Sequence, residues 1–274
     1  MVDISERDFY RLTDYVRKNY GLELSQKKTL IEYRLSAMLE EKKIENFSEY
    51  FEHVIKEPSK IEITEIINRL TTNHSFFMRE ADHYSFLQNT VLKQFEESLP
   101  ERDLRVWSAG CATGEEPYTL AMLLKTYFKD SALLWDTKIL ATDISVKALN
   151  HAERGRYESN EIKLLPPLWQ MNYFLPTEDK KYEISKQLKN EIIFRIFNLI
   201  DPVFPFKKKF HIIFCRNVMI YFDAQTRADL IEKFYQITEP GGYLFIGHSE
   251  TIDRSKSEYR FLQPSVYQKG GSNE

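Results

Sequence analysis

Three short stretches of this 274-residue chain carry the residue types from which a binding or reacting site is made. In the first, LRVWSAGCATGEEPYTLAM (Leu104 to Met122), Gly110 and Gly114 bracket a turn between an apolar run and a helix start rich in acid. A buried strand that enters a glycine turn and then a helix N-terminus brings backbone N–H groups close to a nucleotide-like ligand. Glu115 sits in the first helical turn, where the helix dipole favours a carboxylate. The spacing is G-x-x-x-G rather than G-x-G-x-x-G, and there is no Lys-Ser/Thr of a P-loop. A plain strand-to-helix turn therefore remains the bland alternative. In the second stretch, LATDIS, Asp143 ends the next apolar run. A carboxylate there can accept both hydroxyls of a ribose, or it can cap the following helix, or do both. Spacing alone leaves a dinucleotide and S-adenosylmethionine (SAM) both open.

The third stretch, FHIIFCRNVMIYF (Phe210 to Phe222), pushes toward SAM. An apolar strand delivers Cys215, Arg216, Asn217 and Tyr221 just past its carboxyl end, where open parallel sheets bind ligands. A charge and an amide at that place are costly if merely buried. The alternatives are that Asn217 caps a turn and Tyr221 belongs to the core. Asn198-Leu199 closes the preceding apolar run and is a second rim candidate.

These residues need a scaffold, and the periodicity changes along the chain. Residues 1 to about 70 read as four amphipathic helices. Ser5 to Asp8 form a capping-box-like start, Phe9, Leu12, Val16 and Tyr20 share a face, and Gly21 stops the helix. A second helix from about Ser25 buries Ile31, Leu35, Met38 and Leu39, and a third from about Ser48 buries Tyr50, Phe51 and Val54. A fourth, capped from Ser59, carries Ile63, Ile66, Ile67 and Leu70. TTNHSFFMRE (Thr71 to Glu80) breaks the pattern and leads into a helix ending near Pro100. From Asp103 strands and helices alternate, with strands near 104–109, 137–142, 210–214, 243–246 and 265–268. That order predicts a parallel sheet with helices on both faces. Residues 173–198 read instead as a small inserted β hairpin.

Composition sets outer bounds. A charged fraction of 29% and a formal net charge of −3 give no global pull toward nucleic acid or an anionic membrane. No apolar run approaches the roughly 18 residues of a membrane span, and the charged start is not a signal peptide. The only cysteines, Cys111 and Cys215, lack metal-site spacing and read as reduced fillers in a cytoplasmic protein.

TTNHSFFMRE, AGCATGEEPYTLAM, ATDIS, FNLID, FCRNVMIYFD and GGYLFIGHSE occur in this order. Together they resemble the CheR family of SAM-dependent chemoreceptor methyltransferases over nearly the whole chain. The resemblance implies an α/β, Rossmann-like SAM domain (101–274) with an inserted small β-subdomain at about 172–198. An all-α domain (1–70) and a linker with a connecting helix (71–100) precede it. It implies methylation of glutamate side chains on receptor cytoplasmic helices, giving the methyl ester and S-adenosylhomocysteine. Asn73, Ser75 and Arg79 would reach the cofactor pocket from the linker. Gly110 and Glu115 would contact the cofactor, Asp143 its ribose, and Asn198 and Leu199 its adenine side. Cys215 and Arg216 would close the pocket, with Arg79 and Tyr221 nearest the transferred methyl.

Some members grip a receptor tether peptide through a glycine-rich hairpin loop of the β-subdomain. Neither candidate turn here, 176–180 or 187–190, contains glycine, so a tether-independent enzyme is expected. Lys27, Lys28 and Arg34 are candidates for a basic face toward the receptor, a solvated helix face being the alternative. A monomer that neither enters membranes nor binds nucleic acid is expected. The rival readings are a SAM enzyme acting on nucleic acid and a SAM-sensing protein without turnover. The near-neutral charge weakens the first, and the retention of both Arg79 and Tyr221 weakens the second.

Overall fold

The computed structural model describes residues 4–57, 60–71, 75–131 and 134–271. These fall into two compact units. One is built from the described residues up to Thr71 together with Asn198–Asp201 and Tyr221–Arg227, and the other holds the remainder.

The first unit contains α1 (Glu6–Tyr20), α2 (Lys28–Glu41), α3 (Phe47–Lys56) and α4 (Ile61–Leu70). The Ser5 hydroxyl accepts the Asp8 N–H at 3.2 Å, satisfying one of the donors that a helix start leaves orphaned. Gly21 ends α1 at φ 71°, with its N–H on the Arg17 carbonyl. Phe9, Leu12, Val16, Ile31, Leu35, Met38, Phe51, Val54, Ile63, Ile66 and Ile67 are all buried, as the helical spacing requires. The third helix starts one residue ahead of the expected Ser48 because Asn46 caps it, accepting the Glu49 N–H. The expected cap of the fourth, Ser59, lies outside the described residues. Lys42 ties α2 to α4 through Glu62 at 2.6 Å and Glu65 at 2.8 Å. Arg34 donates to the Leu70 carbonyl at 2.7 Å, closing the C-terminus of α4, and Lys28 pairs with Glu6 and Glu32. The two late segments join at the end of α1. Leu22 forms an antiparallel bridge with Phe222, and the Glu23 N–H donates to the Tyr221 carbonyl at 2.8 Å.

The second unit opens with α5 (Ala81–Phe86), which passes through a π turn at Leu87–Val91 into α6 (Leu92–Ser98). There follow β1 (Val106–Ala109), α7 (Glu115–Phe128), β2 (Ile139–Asp143), α8 (Val146–Arg154), β3 (Arg156–Tyr157) and α9 (Pro167–Tyr173). Then come β4 (Phe174–Pro176), β5 (Tyr182–Ile184), α10 (Lys186–Lys189), β6 (Ile192–Ile196) and β7 (Phe210–Cys215). The chain closes with α11 (Ala224–Ile237, in this unit from Ala228), β8 (Thr238–Ile246), β9 (Arg260–Gln263) and β10 (Val266–Gln268). The main sheet runs β6-β2-β1-β7-β8-β10-β9. Its first five strands are parallel, but β10 pairs antiparallel with both β8 and β9. The all-parallel expectation fails at that edge because the segment between β8 and β9 forms no crossover helix, and a parallel return needs one.

The β element expected over 172–198 divides. Its first part joins β3, from earlier in the chain, in a three-stranded antiparallel sheet ordered β3-β5-β4. The turn between β4 and β5 is 177–181, closed by Thr177 N–H on the Lys181 carbonyl at 2.9 Å, with Lys180 at φ 61°. Its last part, β6, pairs in parallel with β2 as an edge of the main sheet, Ile139 opposite Ile192. Alternating burial along β6 suits a hairpin and a sheet edge equally, so periodicity could not separate them.

Trp107 anchors the centre of the sheet. It is fully buried among Phe197, Phe204, Phe206, Phe210 and Phe234, and its indole N–H donates to the Thr142 hydroxyl at 2.9 Å. Gly114, at the start of α7, has φ 101°, and a Cβ there would stand 2.8 Å from the Ala152 Cβ and 3.1 Å from its Cα. Gly114→Ala should therefore lower the unfolding free energy by about 1–3 kcal/mol in urea denaturation. Gly271→Ala, which meets nothing within 4 Å, should leave it unchanged.

Candidate cofactor site

At the carboxyl end of β1 the backbone turns through three left-handed residues, Gly110 (φ 89°), Ala112 (φ 46°) and Gly114. The Gly110 and Cys111 N–H groups both donate to the Thr142 carbonyl, at 2.8 and 2.9 Å, which fixes the turn against the end of β2. Asp143 completes this brace. Its Oδ2 accepts the Ala112 N–H and its Oδ1 the Ser145 N–H, each at 2.8 Å. Ser145 in turn caps α8 by accepting the Ala148 N–H. Asp143 thus supports both the turn and the next helix. Burial raises its pKa, against the pull of backbone N–H groups from Ser145, Ala112 and Ile144.

Glu115 is 3% exposed at the first position of α7. The Thr113 hydroxyl stands 2.8 Å from both of its oxygens, and the Ser75 hydroxyl also hydrogen-bonds it. Burial pushes its pKa up more than these hydrogen bonds bring it down. The Tyr157 hydroxyl donates to the Thr113 carbonyl at 2.7 Å and closes the back of the turn. The turn is therefore rich in buried acceptors.

Beyond the end of β7 the chemistry is different. The Arg216 side chain is 2% exposed. Its Nη1 donates to the Tyr84 hydroxyl at 3.0 Å and to Glu116 Oε2 at 3.2 Å. Its Nε donates to Glu80 Oε2 at 3.1 Å, and Nη2 donates to the Arg79 carbonyl. The guanidinium also lies over the Tyr84 and Phe214 rings. Glu116 Oε1 accepts the Ser108 hydroxyl at 2.7 Å. The two acids differ in their net shift. At Glu116 burial outweighs Arg216 and raises the pKa. At Glu80 burial is outweighed by Arg216, the His248 N–H and the nearby imidazoles, and the pKa falls. Glu250, also buried, accepts N–H bonds from Gly247 at 2.6 Å, Asn217 at 2.9 Å and Ile220 at 3.2 Å, holding the bend that follows Arg216.

The structure sorts the residues picked from the sequence. Ser75, Gly110, Glu115 and Asp143 belong to the turn and its surroundings. Cys215 and Arg216 belong to the end of β7, joined there by the Arg79 carbonyl; the Arg79 guanidinium lies 5.7 Å from the centre of the Phe76 ring. Arg216 was expected to close a cofactor pocket, yet its donors at Nε, Nη1 and Nη2 serve protein acceptors. Cys111 and Cys215 are fully buried and burial pushes both thiols well above their ordinary pKa. Asn73 lies outside the described residues. Asn198, Leu199 and Tyr221 belong to the first unit. There the Asn198 side-chain amide donates to the Asn19 carbonyl at 2.8 Å, and Leu199 is buried.

Sequence reasoning passed over Glu80, Tyr84, Glu116 and Glu250. The available signal was a charge set at the end of an apolar run, as at FIGHSE, where burial without a partner is costly.

Residues 73–267 match the family model described as CheR methyltransferase, SAM binding domain. Residues 7–71 match the CheR methyltransferase all-alpha domain. The chain is 42% identical to a chemotaxis protein methyltransferase of Borreliella burgdorferi, covering 98% of this chain and 96% of that protein. It is 32% identical to chemotaxis protein methyltransferase 2 of Vibrio cholerae, covering 97% and 94%. With the chemotaxis protein methyltransferase of Salmonella typhimurium it shares 31% identity over 96% and 90%. On the sheet, the glycine turn and these matches, the chain belongs to the CheR methyltransferase family.

Proposed function

We propose that this protein methylates glutamate side chains on the cytoplasmic helices of chemoreceptors, using SAM and releasing S-adenosylhomocysteine. The observation that carries this reading is the turn between β1 and α7, inside the matched SAM-binding region. Its buried carboxylates, Glu115 and Asp143, are acceptors whose pKa values burial raises, so a positively charged donor beside them is favoured. A ligand with a ribose diol, an ammonium and a sulfonium offers hydroxyl and N–H donors and positive charge, so the residues present fit it. Asp143 would hold the ribose and Glu115, with the Ser75 hydroxyl beside it, the other donors. When bound, SAM supplies an electrophilic methyl on a sulfonium.

The protein's own task is positioning. A glutamate with a pKa of about 4.3 is already ionised near neutral pH, so no general base is needed. Its carboxylate must lose water and be aligned, and alignment of this kind can supply up to about 7–11 kcal/mol. Arg79 orients the carboxylate in this reading. Lys27, Lys28 and Arg34 contribute positive charge toward an acidic receptor helix. Acids already paired with Lys28 temper that contribution. The hairpin turn at 177–181 has no glycine, and the enzyme acts without a receptor tether.

Incubation with methyl-labelled SAM and receptor cytoplasmic fragments should place base-labile methyl on the fragments. Label appearing in nucleic acid instead, or SAM binding with no transfer, would contradict this. Arg79→Ala should reduce turnover about 100-fold or more while S-adenosylhomocysteine affinity changes only a few-fold; near-normal turnover would remove Arg79 from its role. In a calorimeter, a receptor C-terminal pentapeptide should give no binding heat, and tight binding would overturn tether independence.

A further inference from the structure

His83, on α5, is the least satisfied polar side chain in the second unit. It is 0% exposed, and neither ring nitrogen makes a hydrogen bond. An imidazole buried with both nitrogens unused forfeits hydrogen bonds it would have had in water. Its surroundings hold two further groups with metal-binding chemistry. Glu80 Oε2 stands 3.5 Å from His83 Nδ1. The His248 ring, at the end of β8, meets the His83 ring edge-on with centroids 4.9 Å apart. One ligand atom from each of Glu80, His83 and His248 lies within 4.8 Å of the others.

We propose that Glu80, His83 and His248 form a binding site for a divalent transition-metal ion of the zinc type, separate from the glycine turn. Two borderline imidazoles with one hard carboxylate are a ligand set that suits zinc and its neighbours, and the two nitrogens disfavour magnesium and calcium. Ligands about 2.0–2.1 Å from one ion at tetrahedral angles stand roughly 3.4 Å apart. The cluster must therefore contract by little more than 1 Å, which the half-exposed His248 side chain can supply.

Two features support the assignment. Asp82 Oδ2 stands 3.1 Å from His248 Nε2, the carboxylate–imidazole pairing that fixes tautomer and ring orientation in metal-binding histidines. Neither buried ring nitrogen of His83 is engaged by a protein hydrogen bond, so its lone pair beside Glu80 and His248 is free to take a ligand. Arg216 opposes a cation here, but Glu80, Asp82 and Glu116 outnumber its charge locally. The ion would sit on the residue after Arg79, joining α5 to the end of β8.

The test is calorimetric titration of untagged full-length protein with zinc chloride, with magnesium chloride as the comparison. Saturable binding of one zinc ion per chain is expected, with no magnesium heat. His248→Ala, at an exposed position that the fold does not need, should abolish or weaken zinc binding by tenfold or more. Asp82→Asn should weaken it by about 10- to 100-fold, while His53→Ala and His151→Ala leave it unchanged. Absence of saturable zinc binding, or full affinity in the His248→Ala protein, would overturn the proposal.

Discussion

A buried guanidinium is the constraint on which the second unit depends. Taking a charge out of water costs several kcal/mol unless every donor finds an acceptor. From the end of β7, Arg216 finds them at two helices: Glu80, Tyr84 and the Arg79 carbonyl at the start of α5, and Glu116 on α7. Ser108 on β1 extends the network by donating to Glu116. The carboxyl edge of the sheet is thereby set relative to the helix that follows the linker. Arg79, one residue before Glu80, inherits its place from that network. Any chemistry asked of the Arg79 side chain thus rests on the hold that Arg216 has on its backbone carbonyl.

The glycine turn is built on the opposite principle. Arg216 is saturated, whereas Glu115 and Asp143 are buried carboxylates held by a few hydroxyl and backbone donors, with their pKa values raised. An acceptor-rich, desolvated turn is poor at stabilising itself and good at receiving a ligand that brings donors and positive charge. Its geometry depends on backbone freedom at Gly110 and Gly114 and on the bonds from Gly110 and Cys111 to the Thr142 carbonyl. The saturated network supplies rigidity, and the acceptor-rich turn is where the proposed function places the cofactor.

Much of this was legible in the residues themselves. The four N-terminal helices follow from apolar spacing, the Ser5 cap and the Gly21 stop, all of which are local signals. The glycine turn and Asp143 were visible because a strand, a turn and a helix announce themselves within twenty residues. The Arg216 network was not, because its partners Glu80 and Glu116 lie 136 and 100 positions away in the chain. No periodicity encodes a pairing at that separation. Chain-order reasoning also missed the antiparallel edge made by β10 and β9, and it placed β6 in a hairpin. Strand propensity was read correctly for β6 and β10 but not for β9, and pairing, which is a tertiary choice, was read in neither case.

The most direct test is a double-mutant cycle between Arg216 and Glu116, read by chemical denaturation. Removing Arg216 alone, as Arg216→Met, strands two acids and should cost about 3–5 kcal/mol. In a Glu116→Gln background the same change should cost less by roughly 1 kcal/mol or more, the coupling expected of groups in one buried network. Additive losses within about 0.5 kcal/mol would show that Arg216 and Glu116 act independently and would contradict the account.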